Sequence, residues 1–247
     1  MAAMRYNGRV DLSFPVDDPE LMDGAPVEDE ELRRALDFIA WTNRRFGGYG
    51  PVLAHLERWL SSVPKGGTVT VLDIGTGGAD LPAALALWGR RRGVAVRVTA
   101  IDSVPAIAAI ARKNSASDPG IEILEADLFD LAASGRRFDY VVGSLLLHHI
   151  PKTRRADALR AADGLASRGV IFVDLLRCRS AYWGARLLTG LFGDRITRHD
   201  GPLSVRKAFR TGELDALARA AGLPYLRAAR HPFFRVTLAG QKENPRG

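Results

Sequence analysis

The chain has 247 residues, which is enough for one α/β domain with a cap but short for two independent domains. The single cysteine, Cys178, excludes an intramolecular disulfide and a cysteine-based zinc cluster, and no apolar run approaches the ~18 residues that span a bilayer. The net charge of +7 allows a nucleic-acid partner, but the basic residues are mostly scattered arginines, which favours a solvated basic surface instead.

The first quarter of the chain predicts an arm followed by helices. Residues 1–27 are polar, contain three prolines and show no stable period, so we expect an N-terminal arm or flexible lead. They also lack the apolar core of a signal peptide, and we therefore expect a cytoplasmic protein. Apolar residues at helical spacing predict a helix from residue 29 to about 42, and FGGYGP at 46–51 separates it from a second helix. Residues 28–65 are predicted to form a helical cap segment.

From residue 66 onward, apolar strands alternate with helices, which indicates a parallel sheet covered on both faces. Strands are predicted at 67–74, 96–102, 121–127, 138–144 and 168–175. Helices are predicted after Asp80, through 105–114 and near 153–167. A cap insertion at about 178–210 carries an apolar helix at 180–192, and a helix with Thr211 as its N-cap precedes a terminal antiparallel hairpin. The predicted fold class is α/β, with a doubly wound sheet and a helical cap.

Residues 71–85, VLDIGTGGADLPAAL, join the first predicted strand to a helix through a glycine cluster. In an open α/β sheet, ligands bind at the carboxyl ends of the strands beside such a turn. Gly75 and Gly77 permit a tight turn and a close backbone approach, but Asp80 stands where a dinucleotide site needs a third glycine. Together with Asp73, this acid repels a pyrophosphate and suits a ligand that carries an ammonium and a sulfonium. The loop therefore disfavours NAD.

Two further acids end the next two predicted strands. Asp102 ends the second strand, where a carboxylate accepts hydrogen bonds from both ribose hydroxyls of a nucleoside. Asp127 ends the third strand, where it could accept a bond from an adenine amino group while the Leu128 backbone N–H reaches a ring nitrogen. Each acid alone is common as a helix cap or a solvated turn. Three acids at the ends of three successive strands indicate a nucleoside site.

Four segments occur in the order and spacing of a known family: VLDIGTGGADL, VTAIDSVPAIAAIA, ILEADLFDL and FDYVVGSLLLHHI. They resemble the first motif, the ribose acid, the adenine-contacting turn and the active-site turn of class I S-adenosylmethionine-dependent methyltransferases. The resemblance spans roughly residues 67–240 and implies a Rossmann-like, seven-stranded sheet of order 3-2-1-4-5-7-6, with strand 7 antiparallel, in a domain of residues 66–247. Ala79-Asp80 replaces a frequent glycine, which leaves the role of Asp80 open. The resemblance implies S-adenosylmethionine as the cofactor, in contact with Asp73, Gly75, Thr76, Gly77, Asp102, Ser103, Asp127, Leu128 and Ser144.

The turn SLLLHHI after the fourth strand is expected next to the transferred methyl group. It lacks the Asn/Asp-Pro-Pro-aromatic turn with which family members that act on amides or exocyclic amines align the nitrogen. It also lacks the acids of the metal-dependent phenol methyltransferases, since Ser144 and Asp174-Leu175 stand in their places, so no metal is expected. His148 and His149 remain as candidate bases in a turn that resembles those of quinol- and polyketide-modifying methyltransferases. His199 on the cap insertion is a further candidate base.

The cap composition suits an apolar aromatic acceptor. A stripe that could wall a pocket, pack as ordinary core or form a homodimer contact comprises Tyr182, Trp183, Leu187, Leu188, Leu191 and Phe192. NRRFGGYG at 43–50 resembles segments that close over the cofactor, with Arg44 on the methionine carboxylate and Phe46 or Tyr49 over the site. We predict O-methylation of a phenolic, quinol or polyketide-like small molecule, with C-methylation of an activated aromatic ring as the alternative. An RNA or protein methyltransferase and a non-catalytic cofactor-binding module are the competing hypotheses.

Overall fold

The computed structural model describes residues 10–24, 27–61 and 64–243. The helices are α1 (Leu21–Gly24), α2 (Asp29–Arg45), α3 (Gly50–Trp59), α4 (Asp80–Arg92), α5 (Pro105–Ser115), α6 (Leu128–Ala133), α7 (Arg155–Leu165), α8 (Arg179–Phe192), α9 (Arg195–Lys207) and α10 (Thr211–Ala220). The strands are β1 (Thr68–Ile74), β2 (Ala95–Asp102), β3 (Ile121–Glu125), β4 (Phe138–Ser144), β5 (Ala166–Leu175), β6 (Arg227–His231) and β7 (Arg235–Gln241). The parts of the predicted arm, cap segment and domain at residues 1–9, 25–26, 62–63 and 244–247 lie outside the described residues.

The strands form one seven-stranded sheet of order β3-β2-β1-β4-β5-β7-β6. The strands β1 to β5 pair in parallel, because a helix returns the chain across the sheet between each strand and the next. The strand β7 runs antiparallel between β5 and β6, because only a tight turn separates it from β6. The predicted sheet order and the antiparallel strand 7 are confirmed.

Helices cover both faces of the sheet and bury its apolar residues. Successive residues of a strand point to opposite faces, so Leu72 packs against the α7 and α10 side while Val71 packs against the α3 and α4 side. Both residues are fully buried. This packing makes the sheet a rigid platform for the loops at the carboxyl ends of β1, β2, β4 and β5.

The arm and the cap insertion are more regular than the sequence predicted. Residues 10–24 form a packed segment and not a flexible lead: Leu12 is buried against α8, and the Asp200 carboxylate accepts the backbone N–H groups of Leu21 and Met22 at 2.8 and 3.1 Å. The helix α9 continues through Pro202, where a Gly-Pro pair favours a break, because its buried residues hold it against the cap. In the described part of the chain, no helix is long and apolar enough to cross a bilayer.

The helix α10 differs from its prediction at the first residue. Thr211 was predicted as the N-cap, but it is the first helical residue and Arg210 precedes it as the cap. The carboxylate of Glu213, three residues further on, accepts the Arg210 backbone N–H at 2.8 Å. A glutamate in the first turn thus satisfies the backbone N–H of the N-cap residue Arg210.

Candidate active site

One cavity of about 880 Å³ lies at the carboxyl ends of β1, β2 and β4, and the cap helices cover it. The glycine loop after β1 lines one end of the cavity, and the turn with His148 and His149 lines the other. Apolar side chains form most of the remaining wall, among them Leu36, Ile39, Phe46, Leu188, Leu191 and Phe192. The cavity therefore joins the predicted cofactor loop to the predicted active-site turn.

The glycine loop takes a backbone conformation that requires its glycines. Gly75 and Gly77 have φ angles of +65° and +55°, in the left-handed region that side chains disfavour. A Cβ added to Gly75 would also lie 2.7 Å from the Leu146 side chain of the histidine turn. The backbone of this loop therefore passes close to the opposite wall, and Gly75, Thr76 and Gly77 all line the cavity.

Asp73 lies beneath the glycine loop, at the end of β1. Its side chain is fully buried, and its Oδ2 has no hydrogen-bond partner. Burial, with added repulsion from Asp80 and Asp102, raises the pKa of Asp73 to about 8. The Thr76 hydroxyl above it is also buried without a partner. Thr76 lines the cavity, whereas Asp73 lies behind the loop and is not among the lining residues.

Asp102 holds the glycine loop and also faces the cavity. Its two oxygens accept the backbone N–H groups of Gly77 at 3.2 Å and Val104 at 3.1 Å. Burial raises the pKa of Asp102, and the backbone hydrogen bonds oppose that rise. Its neighbour Ser103 lines the cavity too. The carboxylate keeps free lone pairs in the position where the sequence predicted a ribose.

The third predicted acid has a structural contact of its own. Asp127 is the N-cap of α6, where its Oδ1 accepts the Phe129 backbone N–H at 2.7 Å. Asp127 and the buried Leu128 both line the cavity beside Asp102. Two of the three acids predicted for a nucleoside, Asp102 and Asp127, therefore meet at the same end of the cavity.

The histidine turn places one imidazole against a buried carboxylate. His148 is 2% exposed, and its Nδ1 lies 2.6 Å from Asp174 Oδ1, while its backbone N–H donates to Asp174 Oδ2 at 3.2 Å. Burial alone would raise the pKa of Asp174, but the neighbouring His148 holds it below its usual range. With Nδ1 directed at Asp174, Nε2 is the other ring nitrogen of His148, and His148 lines the cavity. Ser144, at the end of β4, lines the cavity beside this turn.

The second histidine and the arm complete this end of the cavity. His149 Nδ1 lies 2.7 Å from Asp23 Oδ2, and the Nε2 atoms of His148 and His149 lie 3.8 and 3.9 Å from the two oxygens of Glu20. Burial alone would lower the pKa of His149, but Asp23 and Glu20 raise it. The ligand atoms of Glu20, His148 and His149 lie within 4.8 Å of one another, a set that could hold a divalent cation. Lys207 Nζ lies 3.2 Å from Glu20 Oε1, so an ammonium already supplies positive charge there.

Three predicted site residues do not line the cavity: Asp73, which is buried beneath the glycine loop, and Arg44 and His199. Arg44 is exposed on the last turn of α2, and the neighbouring Asn43 is buried and lines the cavity instead. The His199 side chain is 50% exposed on α9, with its Nδ1 2.7 Å from the Asp200 carboxylate, and Asp200 lines the cavity. Adjacent helical residues point about 100° apart, so a register error of one position turns a predicted cavity residue toward solvent.

The cap segment 43–50 contacts the glycine loop through Asp80, whose role the sequence left open. Asp80 Oδ2 accepts hydrogen bonds from Asn43 Nδ2 at 2.9 Å and from the Tyr49 hydroxyl at 2.8 Å. Phe46 lines the cavity as predicted, whereas Tyr49 ties α3 to α4 and is not among the lining residues. Asp80 therefore joins the cap to the loop that the cofactor is expected to contact.

Sequence reasoning missed Glu20 and Arg235, which are buried in the cavity wall. Glu20 stands in a polar arm with no periodic pattern, so no local signal could have identified it. Arg235 does have a signal in the sequence: it is the one charged residue in the apolar strand segment FFRVTLAG. A charged residue inside such a strand has to find a partner, a ligand or solvent.

Comparison with known proteins agrees with the predicted class. Residues 71–169 match the family model described as a methyltransferase domain, and no curated protein matches the chain in sequence. The plantazolicin methyltransferase BpumL, in complex with SAH, has a similar fold, with a TM-score of 0.62, 11% identity and coverage of 87% of this chain and 95% of that chain. Magnesium protoporphyrin IX methyltransferase from Synechocystis PCC 6803, with bound SAM, has a TM-score of 0.52 at 17% identity and covers 89% of this chain and 100% of its own.

A third similar structure is an O-methyltransferase family protein from Burkholderia thailandensis, with a TM-score of 0.55, 15% identity and coverage of 88% of this chain and 59% of that chain. At these identities the likeness shows the fold. Together with the family match over residues 71–169 and the sheet order, it shows that the chain has the class I methyltransferase fold. The predicted class is confirmed.

Proposed function

We propose that the protein transfers the methyl group of S-adenosylmethionine to a hydroxyl of an apolar aromatic small molecule, such as a phenol, a quinol or a polyketide. The observation that carries this proposal is the single cavity that joins the glycine loop to the histidine turn beneath an apolar cap. The cofactor fits its end of the cavity, because Asp80 and Asp102 both line it and favour a cationic ligand. When bound, the cofactor supplies a methyl group made electrophilic by its sulfonium.

His148 is the residue that we assign as the base. Asp174 fixes the ring and keeps the proton on Nδ1, so Nε2 can accept the proton of an acceptor hydroxyl. Asp174 is a positioning residue, since it contacts the imidazole and not the acceptor. His149, whose contacts with Asp23 and Glu20 raise its pKa, is less suited to accept a proton near neutral pH. His199 is not proposed, because its ring lies outside the cavity.

The apolar wall supports a small aromatic acceptor. Side chains from α2, α8 and the turn between β6 and β7 enclose the space in front of the histidines. They exclude water from the reacting atoms and hold the acceptor in line with the methyl group, which are the main contributions that an enzyme makes to such a displacement. A small-molecule substrate and a cytoplasmic location remain predictions.

The first experiment offers a panel of phenols, quinols and polyketides to the protein with a methyl-labelled cofactor. We expect one labelled product, with the methyl group on oxygen, identified by mass spectrometry and nuclear magnetic resonance. A methyl group on a ring carbon would support the C-methylation alternative. Activity confined to RNA or protein, falling steeply with salt, would overturn the small-molecule proposal.

The second experiment tests the base. We expect His148→Asn to lower turnover at least about a hundredfold, because general-base catalysis typically contributes 10²–10⁴-fold. Asparagine keeps an N–H donor for Asp174 but has no nitrogen that accepts a proton, so SAH affinity should stay within a few-fold of wild type by calorimetry. His199→Asn, on the exposed face of the cap, is the matched control and should leave turnover intact. Full turnover in His148→Asn would leave alignment alone as the mechanism.

A further inference from the structure

Arg235, the first residue of β7, is a charged residue in a buried position. It is 5% exposed and lines the cavity. Its Nη2 donates to Asn43 Oδ1 at 3.1 Å, while its Nε and Nη1 are buried without a hydrogen-bond partner. Burying an ionised group without a partner is costly, and a guanidinium keeps its proton under nearly all conditions. The cavity wall thus contains a cation with unused N–H donors.

A carboxylate lies on the other side of the same asparagine. Asn43 accepts from Arg235 through Oδ1 and donates through Nδ2 to Asp80 Oδ2 at 2.9 Å. One buried amide therefore separates a guanidinium from a carboxylate on the cavity wall, and the Tyr49 hydroxyl fixes that carboxylate from the cap side. Asp80 is the first residue of α4, three positions after Gly77 of the glycine loop. This pair of opposite charges stands at the cofactor end of the cavity.

We propose that Arg235 and Asp80, held apart by Asn43, bind the zwitterionic amino-acid end of the cofactor. Arg235 donates its free N–H groups to the α-carboxylate, and Asp80 accepts from the α-ammonium. The inference rests on the proposed function only in requiring that S-adenosylmethionine is the cofactor. Charge-assisted hydrogen bonds of this kind are roughly twice as strong as neutral ones, so they fix both the affinity and the orientation of the ligand.

The assignment replaces the one that the sequence favoured. Arg44 was expected on the methionine carboxylate, but it points to solvent, and the inward position of that helical turn belongs to Asn43. Asn43 is neutral and cannot compensate a carboxylate alone. Its Oδ1 accepts a hydrogen bond from Arg235 of β7, which lies 192 positions away in the chain. The proposed partner of the cofactor's carboxylate therefore lies on β7, the last strand along the chain, and not on the cap.

Three thioether ligands that share the adenosine and the uncharged sulfur test this assignment by calorimetry. SAH has the carboxylate and the ammonium, decarboxylated SAH lacks the carboxylate, and methylthioadenosine lacks both. In Arg235→Gln we expect SAH affinity to fall at least tenfold, with affinity for the other two unchanged. Asp80→Asn should weaken both ligands that contain the ammonium and spare methylthioadenosine. Arg44→Gln is the matched control and should change none of the three.

The stability of the ligand-free variant distinguishes a ligand-binding role of Arg235 from a structural one. Glutamine keeps an N–H donor for Asn43 and removes both the desolvation cost of a buried guanidinium and its attraction to Asp174 and Asp80, so Arg235→Gln should change the unfolding midpoint of the ligand-free protein little. An equal loss of affinity for all three ligands would overturn the assignment and make Arg235 structural. A loss in Arg44→Gln with none in Arg235→Gln would also overturn it. Unchanged SAH affinity with weaker acceptor binding would assign the guanidinium to the acceptor instead. Wild-type protein that binds none of the three would overturn the proposed function itself.

Discussion

At the scale of single residues, the acids at the ends of β1, β2 and β3 differ more than their similar positions suggest. Asp73 is fully buried with an unpartnered oxygen, Asp102 accepts two backbone N–H groups, and Asp127 caps a helix. Only burial and local hydrogen bonds separate these three environments, and neither can be read from a strand pattern. The same residue type in the same position can therefore contribute a proton, a loop anchor or a cap.

The raised pKa of Asp73 predicts a dependence of stability on pH. Its pKa is 3.8 in an unperturbed chain and about 8 in the folded protein, because burial disfavours the charged carboxylate. Between those values the folded state holds a proton that the unfolded state has released. The stabilisation that this proton gives the folded state is therefore present at low pH and is lost as the pH rises toward 8. We expect the free energy of unfolding of wild type, measured in urea, to fall from pH 5 to pH 8 relative to that of Asp73→Asn.

The control for this prediction is Asp37→Asn, which removes an acid with a 56%-exposed side chain and should preserve the pH dependence of wild type. Parallel curves for wild type and Asp73→Asn would mean that water reaches the Asp73 carboxylate and that its pKa is not raised.

At the scale of elements, the loop between β1 and α4 depends on the histidine turn that faces it. Gly75 combines a φ of +65° with a Cβ position 2.7 Å from the Leu146 side chain. Gly135, in the turn before β4, has a φ of +76° and open space around the same position. The two glycines therefore share the backbone strain that a side chain would bring, but only Gly75 also faces the opposite wall of the site.

Alanine at these two glycines should separate strain from function. Each substitution should lower the free energy of unfolding by about 1–2 kcal/mol, the cost of a left-handed alanine. Only Gly75→Ala should also weaken SAH binding, by at least tenfold, because its methyl group displaces Leu146 and changes the loop. Chemical denaturation and calorimetry measure the two effects. Equal SAH affinity in both variants would contradict the placement of the cofactor at this loop.

At the scale of the whole molecule, one buried arginine joins parts of the chain that lie far apart in sequence. The Arg177 side chain is fully buried after β5, and its guanidinium donates to the backbone of Leu12 in the arm at 3.1 Å. It also donates to the Ala208 carbonyl at the end of α9 and pairs with Glu213 of α10. The arm that brings Glu20 to the histidine turn is thus tied to the sheet through this residue.

Removing this guanidinium should loosen the arm and lower stability. We expect Arg177→Met to reduce the free energy of unfolding by about 3 kcal/mol or more, since the substitution leaves buried carbonyls and a carboxylate without their partner. Limited proteolysis should then cut the arm within residues 10–24 before the rest of the chain. Arg33→Met is the control, because the Arg33 side chain is 45% exposed and pairs on the surface, where ion pairs contribute about 0–1 kcal/mol. Equal losses in the two variants would contradict this role of Arg177.

The sequence by itself determined the class of the domain and the position of its site. Apolar strands alternating with helices can pack only as a covered, mainly parallel sheet, and the glycine loop and the strand-end acids must then meet at one edge. The features that predict this packing are all local in the chain: a period, a turn or a residue at a strand end. The order of the seven strands was implied by the family resemblance of the motifs, and the sheet of the structure has that order.

Only the tertiary structure decided which side chains reach the cavity. Arg44 and His199 were predicted there, and one residue of helical register placed Asn43 and Asp200 in the wall instead. Glu20 and Arg235 enter the wall from the arm and the last strand, through contacts with residues more than a hundred positions away. Such contacts leave no period or spacing in the sequence. They depend on how the cap closes over the sheet, because burial and pairing are properties of the folded chain.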